Sequence, residues 1–236
     1  MTKRIREHET LYRSILMFAK ILAFFGLSSC GISSRSEQPI IKSDDLDVLF
    51  IGNSYSFDVP KMFKDIADKN GKKVKVAGCT HGGWKLSMHA AHEPTLKKLH
   101  KKKWDIVVIQ DFSVSGAYPE SRRQKEMYPF VKFFVDEARE IGARPMLYQT
   151  WGRRDGQPGL KGDDFYQMNA RIREAYSIAS EKAGGVDIVP VGDAWEEEFR
   201  KGNGEKLFIE DGSHPSEFGN RVSAEVFYKT IFLEKD

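Results

Sequence analysis

The feature that most constrains the fold is an alternation of short apolar runs with amphipathic segments. The five apolar runs are Asp47–Ile51, Val74–Ala77, Asp105–Ile109, Pro145–Gln149 and Val186–Val191. Two of them contain the continuously apolar stretches VLFI and IVVI, which indicate strands buried on both faces. Apolar residues recur at helical spacing in the segments between and after them, namely Pro60–Lys69, Lys85–Lys102, Gln124–Glu140, Asp164–Ala183 and Pro215–Phe232. This order predicts a parallel sheet covered by helices on both faces, in one domain.

Residues 1–29 have the pattern of a targeting segment. Basic residues precede Ile15–Leu27, an apolar stretch too short to span a bilayer core of about 30 Å but suited to a signal peptide. The LSSC that ends at Cys30 resembles the lipobox of bacterial lipoproteins, which implies cleavage before Cys30 and lipidation of its thiol. We therefore expect a lipid-anchored protein of the cell envelope, with residues 30–45 as lipidated cysteine and tether, and residues 46–236 as the folded domain. The alternative is a secreted protein with an incidental cysteine.

Charge and cysteine content narrow the choice of partners. The formal net charge of +3 lies entirely within residues 1–29, and the remainder of the chain is neutral. A nucleic-acid surface needs a net basic face, so we expect no nucleic-acid partner. Cys79 has no thiol to pair with if Cys30 is lipidated, so we expect it to lie in the core. Nothing in the sequence specifies an oligomeric state.

Chemically useful residues follow the predicted strands. Ligands of open α/β sheets bind at the carboxyl ends of the strands, and Ser54 directly follows the first one. Asp211 and His214 stand three residues apart just before the last predicted helix, a spacing that lets the carboxylate hold one imidazole nitrogen while the other faces a serine. The alternative is that Asp211 and Ser213 only cap that helix.

Three motifs together resemble the SGNH (GDSL-like) hydrolases: FIGNSYS at 50–56, THGGW at 80–84 and DGSHP at 211–215. More narrowly, the chain resembles their bacterial branch with GNSY in the first block and Gln after the third strand. The resemblance implies a three-layer α/β/α sandwich with a five-stranded parallel sheet of flavodoxin-like order. It also implies a catalytic triad, with Ser54 as nucleophile, His214 as general base and Asp211 orienting the base.

The same resemblance implies an oxyanion hole. Its expected donors are the backbone N–H groups of Ser54 and of a glycine in the second block, for which Gly83 is preferred over Gly82. The family pattern GxND is absent from the third block, and we assign the amide of Gln110 to the role of the missing Asn. The alternative is that Gln110 is a polar strand end bonding a neighbouring loop. Asn53, where the family usually has Asp, is a minor departure.

Substrate contacts are predicted in a long polar loop after the fourth strand, residues 149–165. Trp151 and Arg153 suit stacking on a sugar ring and hydrogen bonding to its hydroxyl or carboxylate groups. His89 is a further candidate for the rim of the site. The alternative for Trp151 is core packing, and that for His89 is a packing or solvated residue. No metal-ligand spacing connects the histidines between residues 81 and 100, so neither a metal nor another cofactor is expected.

We therefore predict a serine esterase that hydrolyses acyl esters, with acetyl the expected group and carbohydrate the expected carrier. Its partners are a small-molecule or glycan ester and, through Cys30, a membrane. Two alternatives remain open at this point. One is a non-catalytic, glycan-binding lipoprotein of the cell envelope on the same fold, and the other is a lipase or phospholipase.

Overall fold

The sheet of the protein consists of five strands. A computed structural model describes residues 45–233; the predicted signal peptide, Cys30 and the tether up to residue 44 lie outside the described residues. Within them the strands are β1 (Asp45–Gly52), β2 (Lys73–Thr80), β3 (Ile106–Ile109), β4 (Arg144–Tyr148) and β5 (Asp187–Val189). All neighbouring strands pair in parallel, in the order β2-β1-β3-β4-β5. The predicted parallel sheet and its flavodoxin-like order are confirmed.

Helices cover both faces of this sheet. They are α1 (Val59–Lys69), α2 (Leu86–Ala90), α3 (Glu93–Leu99), α4 (Glu120–Glu126), α5 (Tyr128–Glu140), α6 (Phe165–Lys182), α7 (Val191–Arg200), α8 (Gly204–Leu207) and α9 (Glu217–Phe232). Across residues 45–233, none of these helices combines the length and apolar character needed to cross a membrane.

The two faces of the sheet carry separate cores because successive side chains of a strand point in opposite directions. On β1, Leu49 and Ile51 face a core shared with α2, α3, α5 and α6. Val48 and Phe50 face the other core, shared with α1, α7 and α9. All four side chains are fully buried. The result is the predicted three-layer sandwich, and it explains why VLFI is continuously apolar.

Two predicted helices are each divided in two by a proline. The segment predicted as one helix over Lys85–Lys102 ends at Ala90 and restarts at Glu93, with Pro94 in the new first turn. Similarly, α4 and α5 meet at Met127, with Pro129 in the first turn of α5. Proline lacks the N–H that a helix interior needs, but it is tolerated in a first turn.

The chain also departs from the prediction near its end. The final helix begins at Glu217 rather than at Pro215, because the Ser216 side chain caps it by accepting a hydrogen bond from Gly219 N–H. Pro215 instead forms an isolated antiparallel bridge with Phe208. This bridge makes a closed loop of the residues between them, which include Asp211 and His214.

Candidate active site

Ser54 lies at the carboxyl end of β1, in the first residue of a short 3₁₀ turn over Ser54–Ser56. Asn53 caps this turn, since its side-chain oxygen accepts a hydrogen bond of 3.1 Å from Tyr55 N–H. The amide nitrogen of Asn53 donates to the carbonyl oxygens of Trp84 and Asp111. Asn53 thereby ties β1 to the loops after β2 and β3, which fixes the position from which Ser54 projects.

His214 and Asp211 lie in the loop closed by the bridge between Phe208 and Pro215. The backbone of His214 accepts a hydrogen bond of 3.0 Å from Ile209 N–H. One carboxylate oxygen of Asp211 accepts hydrogen bonds of 2.9 Å from the N–H groups of both Ser213 and His214. The carboxylate thus folds the loop around itself, and the three-residue spacing seen in the sequence is the spacing this turn requires.

The three predicted triad residues form one hydrogen-bonded row. Ser54 Oγ lies 2.9 Å from His214 Nε2, and His214 Nδ1 lies 2.5 Å from the second oxygen of Asp211. Because an ionised carboxylate can only accept, Nδ1 carries the proton and donates it to Asp211. Nε2 is then left as an acceptor for the Ser54 hydroxyl, which is the tautomer that general-base chemistry needs.

The environment of Asp211 keeps the carboxylate ionised. Partial burial alone would raise its pKa, but the hydrogen bonds from the His214 side chain and from two backbone N–H groups bring the pKa below the ordinary value of an aspartate. Both side chains of the pair are 43% exposed. The His214 imidazole is therefore oriented by a charged partner and remains open to solvent.

Two of the three predicted oxyanion donors are available. Within the described residues, the backbone N–H groups of Ser54 and Gly83 donate no hydrogen bond. Gly83 has φ +73°, in the left-handed region that favours glycine, and a Cβ added there would meet nothing within 4 Å. Gly82 has no such dihedral requirement, and its added Cβ would touch Phe57. The structure leaves the choice between these two glycines as it was.

The structure contradicts the oxyanion role assigned to Gln110. Its side chain is fully buried, and both amide hydrogens are engaged, one with the Asn53 side-chain oxygen at 2.8 Å and one with the Asp111 carbonyl at 2.7 Å. Its oxygen accepts from Asn53 N–H and from the Ser56 hydroxyl. Gln110 is therefore a structural support beneath the Ser54 turn, and it has no free donor for a substrate.

Close packing explains why Gln110 can reach so many partners. A Cβ added to Gly52 would lie 2.4 Å from the Gln110 side-chain oxygen, so the Gln110 amide would have to move away. Glycine before Ser54 thus permits the amide to approach the backbone of the turn. The alternative weighed from the sequence, a polar strand end that bonds neighbouring segments, describes Gln110 correctly.

Trp151 is fully buried, so its predicted role as a substrate contact is wrong. Its indole stacks between the rings of Tyr55 and Trp195, with centroid distances of 4.3 Å and 3.9 Å. Its Nε1–H donates a 3.1 Å hydrogen bond to the Ser213 carbonyl, beside His214. Trp151 therefore packs in the core beneath the site and holds the loop that carries the base.

His89 is likewise fully buried, and the prediction that it contacts substrate at the rim is wrong. Its Nε2 lies 2.8 Å from the Gly52 carbonyl, and its Nδ1 lies 3.3 Å from the Thr95 hydroxyl. Burial lowers the pKa of His89 from 6.5 to about 4, so the ring is neutral and donates from Nε2. His89 supports the end of β1 from below.

Arg153 differs from these because its side chain is only partly buried. One terminal nitrogen, Nη2, donates to the Ser113 hydroxyl across 3.5 Å. Its Nε atom is buried and has no acceptor within the described part of the chain. The predicted contact of Arg153 with substrate stays a prediction.

Sequence reasoning missed the role of Tyr55. Its hydroxyl lies 2.7 Å from the hydroxyl of Ser213, and its ring makes an edge contact with His214 at 5.6 Å between centroids. Tyr55 therefore connects the turn that carries Ser54 to the loop that carries His214. The signal in the sequence was the aromatic residue directly after Ser54, whose partner could not be known without the fold.

Metal binding finds no support in the part of the chain that is described. Residues 45–233 contain no group of three or more His, Cys, Asp or Glu side chains placed to hold an ion. His81 and His92 contact Trp84 through their rings instead, and His92 Nδ1 lies 3.0 Å from the Thr95 hydroxyl. His81, His89 and His92 thus pack against one another and an indole, whereas His100 Nε2 lies 2.7 Å from a Glu137 carboxylate oxygen.

Similar proteins were found among solved structures. A protein from Slackia heliotrinireducens assigned to the SGNH hydrolases has 28% sequence identity and a TM-score of 0.64, over 79% of this chain and 99% of the other. A DUF4886 family protein from Bacteroides uniformis has 21% identity and a TM-score of 0.67, over 80% and 84%. An acetylxylan esterase from Geobacillus stearothermophilus has 16% identity and a TM-score of 0.60, over 81% and 96%. A scan of protein families and a search of curated proteins give no match.

Proposed function

Because this chain belongs to the SGNH hydrolase superfamily, as its fold and its solved neighbours show, we propose that it is a serine esterase that removes acetyl or other small acyl groups from carbohydrate. The observation that carries the proposal is the hydrogen-bonded row from Ser54 through His214 to Asp211. The acetyl and carbohydrate parts draw further support from the likeness to an acetylxylan esterase.

The geometry supports a two-step acyl transfer. His214 Nε2 accepts the Ser54 proton as Oγ attacks the ester carbonyl, and Asp211 stabilises the imidazolium that forms. The Ser54 and Gly83 N–H groups donate to the oxyanion. His214 then returns the proton to the leaving alcohol, and the acyl group stays on Ser54. Water, activated by the same imidazole, releases the carboxylic acid and restores the serine.

The experiment is labelling with a fluorophosphonate probe combined with hydrolysis of 4-nitrophenyl esters, from acetyl to octanoyl. Wild type is expected to react and to favour the acetyl ester, and Ser54→Ala is expected to lose both labelling and turnover. Ser177→Ala, which alters an exposed serine of α6, serves as the matched control and should behave as wild type. Labelling of Ser54→Ala at the wild-type rate, or no reaction of wild type with any ester, contradicts the proposal.

The same panel distinguishes the enzymatic alternative. Phe57, three residues after Ser54, is 53% exposed, and its ring tip lies 3.9 Å from the position of a Cβ added to Gly82. An exposed ring beside the site is a feature that a lipase would use for an acyl chain. A preference for octanoyl over acetyl ester that Phe57→Ser abolishes would replace the carbohydrate esterase with that lipase-like activity.

Export and lipidation at Cys30 remain part of the proposal, on the strength of the lipobox-like LSSC alone. Incorporation of labelled palmitate into wild type but not into Cys30→Ser is the expected result. Equal incorporation into both would contradict it.

A further inference from the structure

The guanidinium of Arg153 stands out among the arginines of the described chain because it has neither an anionic partner nor a short hydrogen bond. Arg122, Arg123, Arg144, Arg154, Arg171, Arg173, Arg200 and Arg221 each pair with a carboxylate within residues 45–233. Arg139 has no such pair, but it donates a short 2.6 Å hydrogen bond to the Ala183 carbonyl near the end of α6. Within residues 45–233, the Arg153 guanidinium makes only the 3.5 Å contact with the Ser113 hydroxyl.

The position of Arg153 places it beside the loop that carries His214. The next residue, Arg154, donates a 2.8 Å backbone hydrogen bond to the Gly212 carbonyl of that loop. The Tyr55 hydroxyl bonds Ser213, which directly precedes His214 in the loop. Ser113, which the guanidinium contacts, lies in the loop after β3. The guanidinium therefore lies at the carboxyl edge of the sheet, beside the residues that hold the base.

Binding of an anion would stabilise the partly buried Arg153 guanidinium, which has no anionic partner within residues 45–233. Its Nε atom is shielded from water and has no acceptor within residues 45–233, so solvent does not fully compensate its charge. A neutral hydroxyl such as Ser113 satisfies a guanidinium poorly, whereas a carboxylate matches its planar fork and can accept two hydrogen bonds. A carboxylate would therefore satisfy the guanidinium better than the Ser113 hydroxyl does.

We infer that the ester substrate carries a carboxylate near the scissile bond, and that Arg153 binds it. This inference rests on the proposed esterase function and specifies its substrate class. The carboxylate can belong to the alcohol part, as in an acetylated uronic acid, or to the acyl part, as in a half-ester of a dicarboxylic acid. Both sources present the same chemistry to the guanidinium.

Two matched substrate pairs separate the sources. The first pair is an O-acetylated methyl galacturonoside and the corresponding O-acetylated methyl galactoside, which differ only in carboxylate against hydroxymethyl. The second pair is 4-nitrophenyl hydrogen adipate and 4-nitrophenyl hexanoate. A charge-assisted bidentate contact favours the anionic member of one pair by about tenfold to a hundredfold in kcat/KM.

Two variants test whether the preference for the anionic ester depends on Arg153. Arg153→Gln should abolish the preference, measured as the ratio of kcat/KM between the two members of a pair, since only the anionic ester uses the charge. Lys161→Gln removes a positive charge from an exposed position of the same loop and should keep the preference. A wild type that shows no preference, or a preference that survives in Arg153→Gln, overturns the inference.

A binding measurement separates this inference from the proposed function. In the Ser54→Ala background, calorimetry compares methyl galacturonoside with methyl galactoside, and adipate with hexanediol, with and without Arg153→Gln. Tighter binding of an anionic member that Arg153→Gln removes supports carboxylate recognition even if wild type hydrolyses no ester, in which case only the esterase function fails. Equal binding of both members of both pairs overturns carboxylate recognition, whatever the activity.

Discussion

Replacing Gln110 with alanine tests whether this residue supports the active-site turn or stabilises the oxyanion. Its side chain makes four hydrogen bonds, to Asn53 N–H, the Asn53 side-chain oxygen, the Ser56 hydroxyl and the Asp111 carbonyl. The change removes all four from a fully buried position. The two oxygens that lose a donor each keep another, from Tyr55 N–H and from the Asn53 amide. The two donors that lose an acceptor keep none within the described chain.

The expected loss of stability follows from the two donors that are left without an acceptor. Leaving a buried donor unsatisfied costs about 1–3 kcal/mol, so Asn53 N–H and the Ser56 hydroxyl together account for about 2–6 kcal/mol of unfolding free energy. In a domain of this size, 1 kcal/mol shifts the melting temperature by about 2–4 °C. We therefore expect Gln110→Ala to melt at least about 4 °C below wild type. Activity falls as well, because the turn that projects Ser54 loosens.

The assay is urea or thermal unfolding measured beside the kcat for 4-nitrophenyl acetate. Gln124→Ala, which alters an exposed glutamine of α4, is the control and should change the unfolding free energy by less than about 0.5 kcal/mol. An oxyanion donor behaves differently, since losing one lowers kcat by about a hundredfold to a thousandfold without requiring a loss of stability. Wild-type stability of Gln110→Ala together with such a loss of kcat would refute the reasoning and restore the role first assigned from the sequence.

Two further predictions concern residues that support the site. Trp151→Phe removes the indole N–H that donates to the Ser213 carbonyl. We therefore expect the unfolding free energy to fall by about 2–4 kcal/mol, and kcat to fall with little change in KM. Unchanged stability together with a raised KM would instead show that Trp151 contacts the substrate. His89 has a pKa of about 4 in the folded chain and an ordinary value of 6.5, so the unfolded chain binds its proton first as the pH falls. Wild type should therefore lose about 2–3 kcal/mol of unfolding free energy between pH 6.5 and pH 4 relative to His89→Gln. The measurement is urea unfolding at each pH. If the unfolding free energies of the two proteins change in parallel with pH, His89 is not a buried neutral imidazole.

The sequence predicted a parallel sheet covered by helices because these features depend on local patterns, whereas the order of the strands was implied only by the resemblance to the SGNH hydrolases. Continuous apolar runs such as VLFI require burial on both faces, and the alternation with helices allows few topologies. Helix ends were predicted less well. Pro94 and Pro129 carry a local signal that a helix restarts, which a purely periodic interpretation of the segment overlooks.

The arrangement of the candidate site could also be predicted only in part. Ser54, Asp211 and His214 lie at one edge of the sheet as predicted, because a strand end and a three-residue spacing can be recognised in the sequence alone. The burial of Gln110, Trp151 and His89 was not readable, since a polar or amphipathic side chain after a strand can turn either outward or into the core. Only the packing around Gly52 and the ring stack decides between the two directions.

The partners of the hydrogen bond between Ser54 and His214 are 160 residues apart in the chain. Ser54 thus leaves the ribosome long before His214 does, and a nascent chain has the serine without the imidazole that bonds it. This hydrogen bond can form only after the segment beyond β5 has docked against β1. During refolding, the proposed activity should therefore return only when the whole domain has folded. The helical signal should return earlier, when the first helices form.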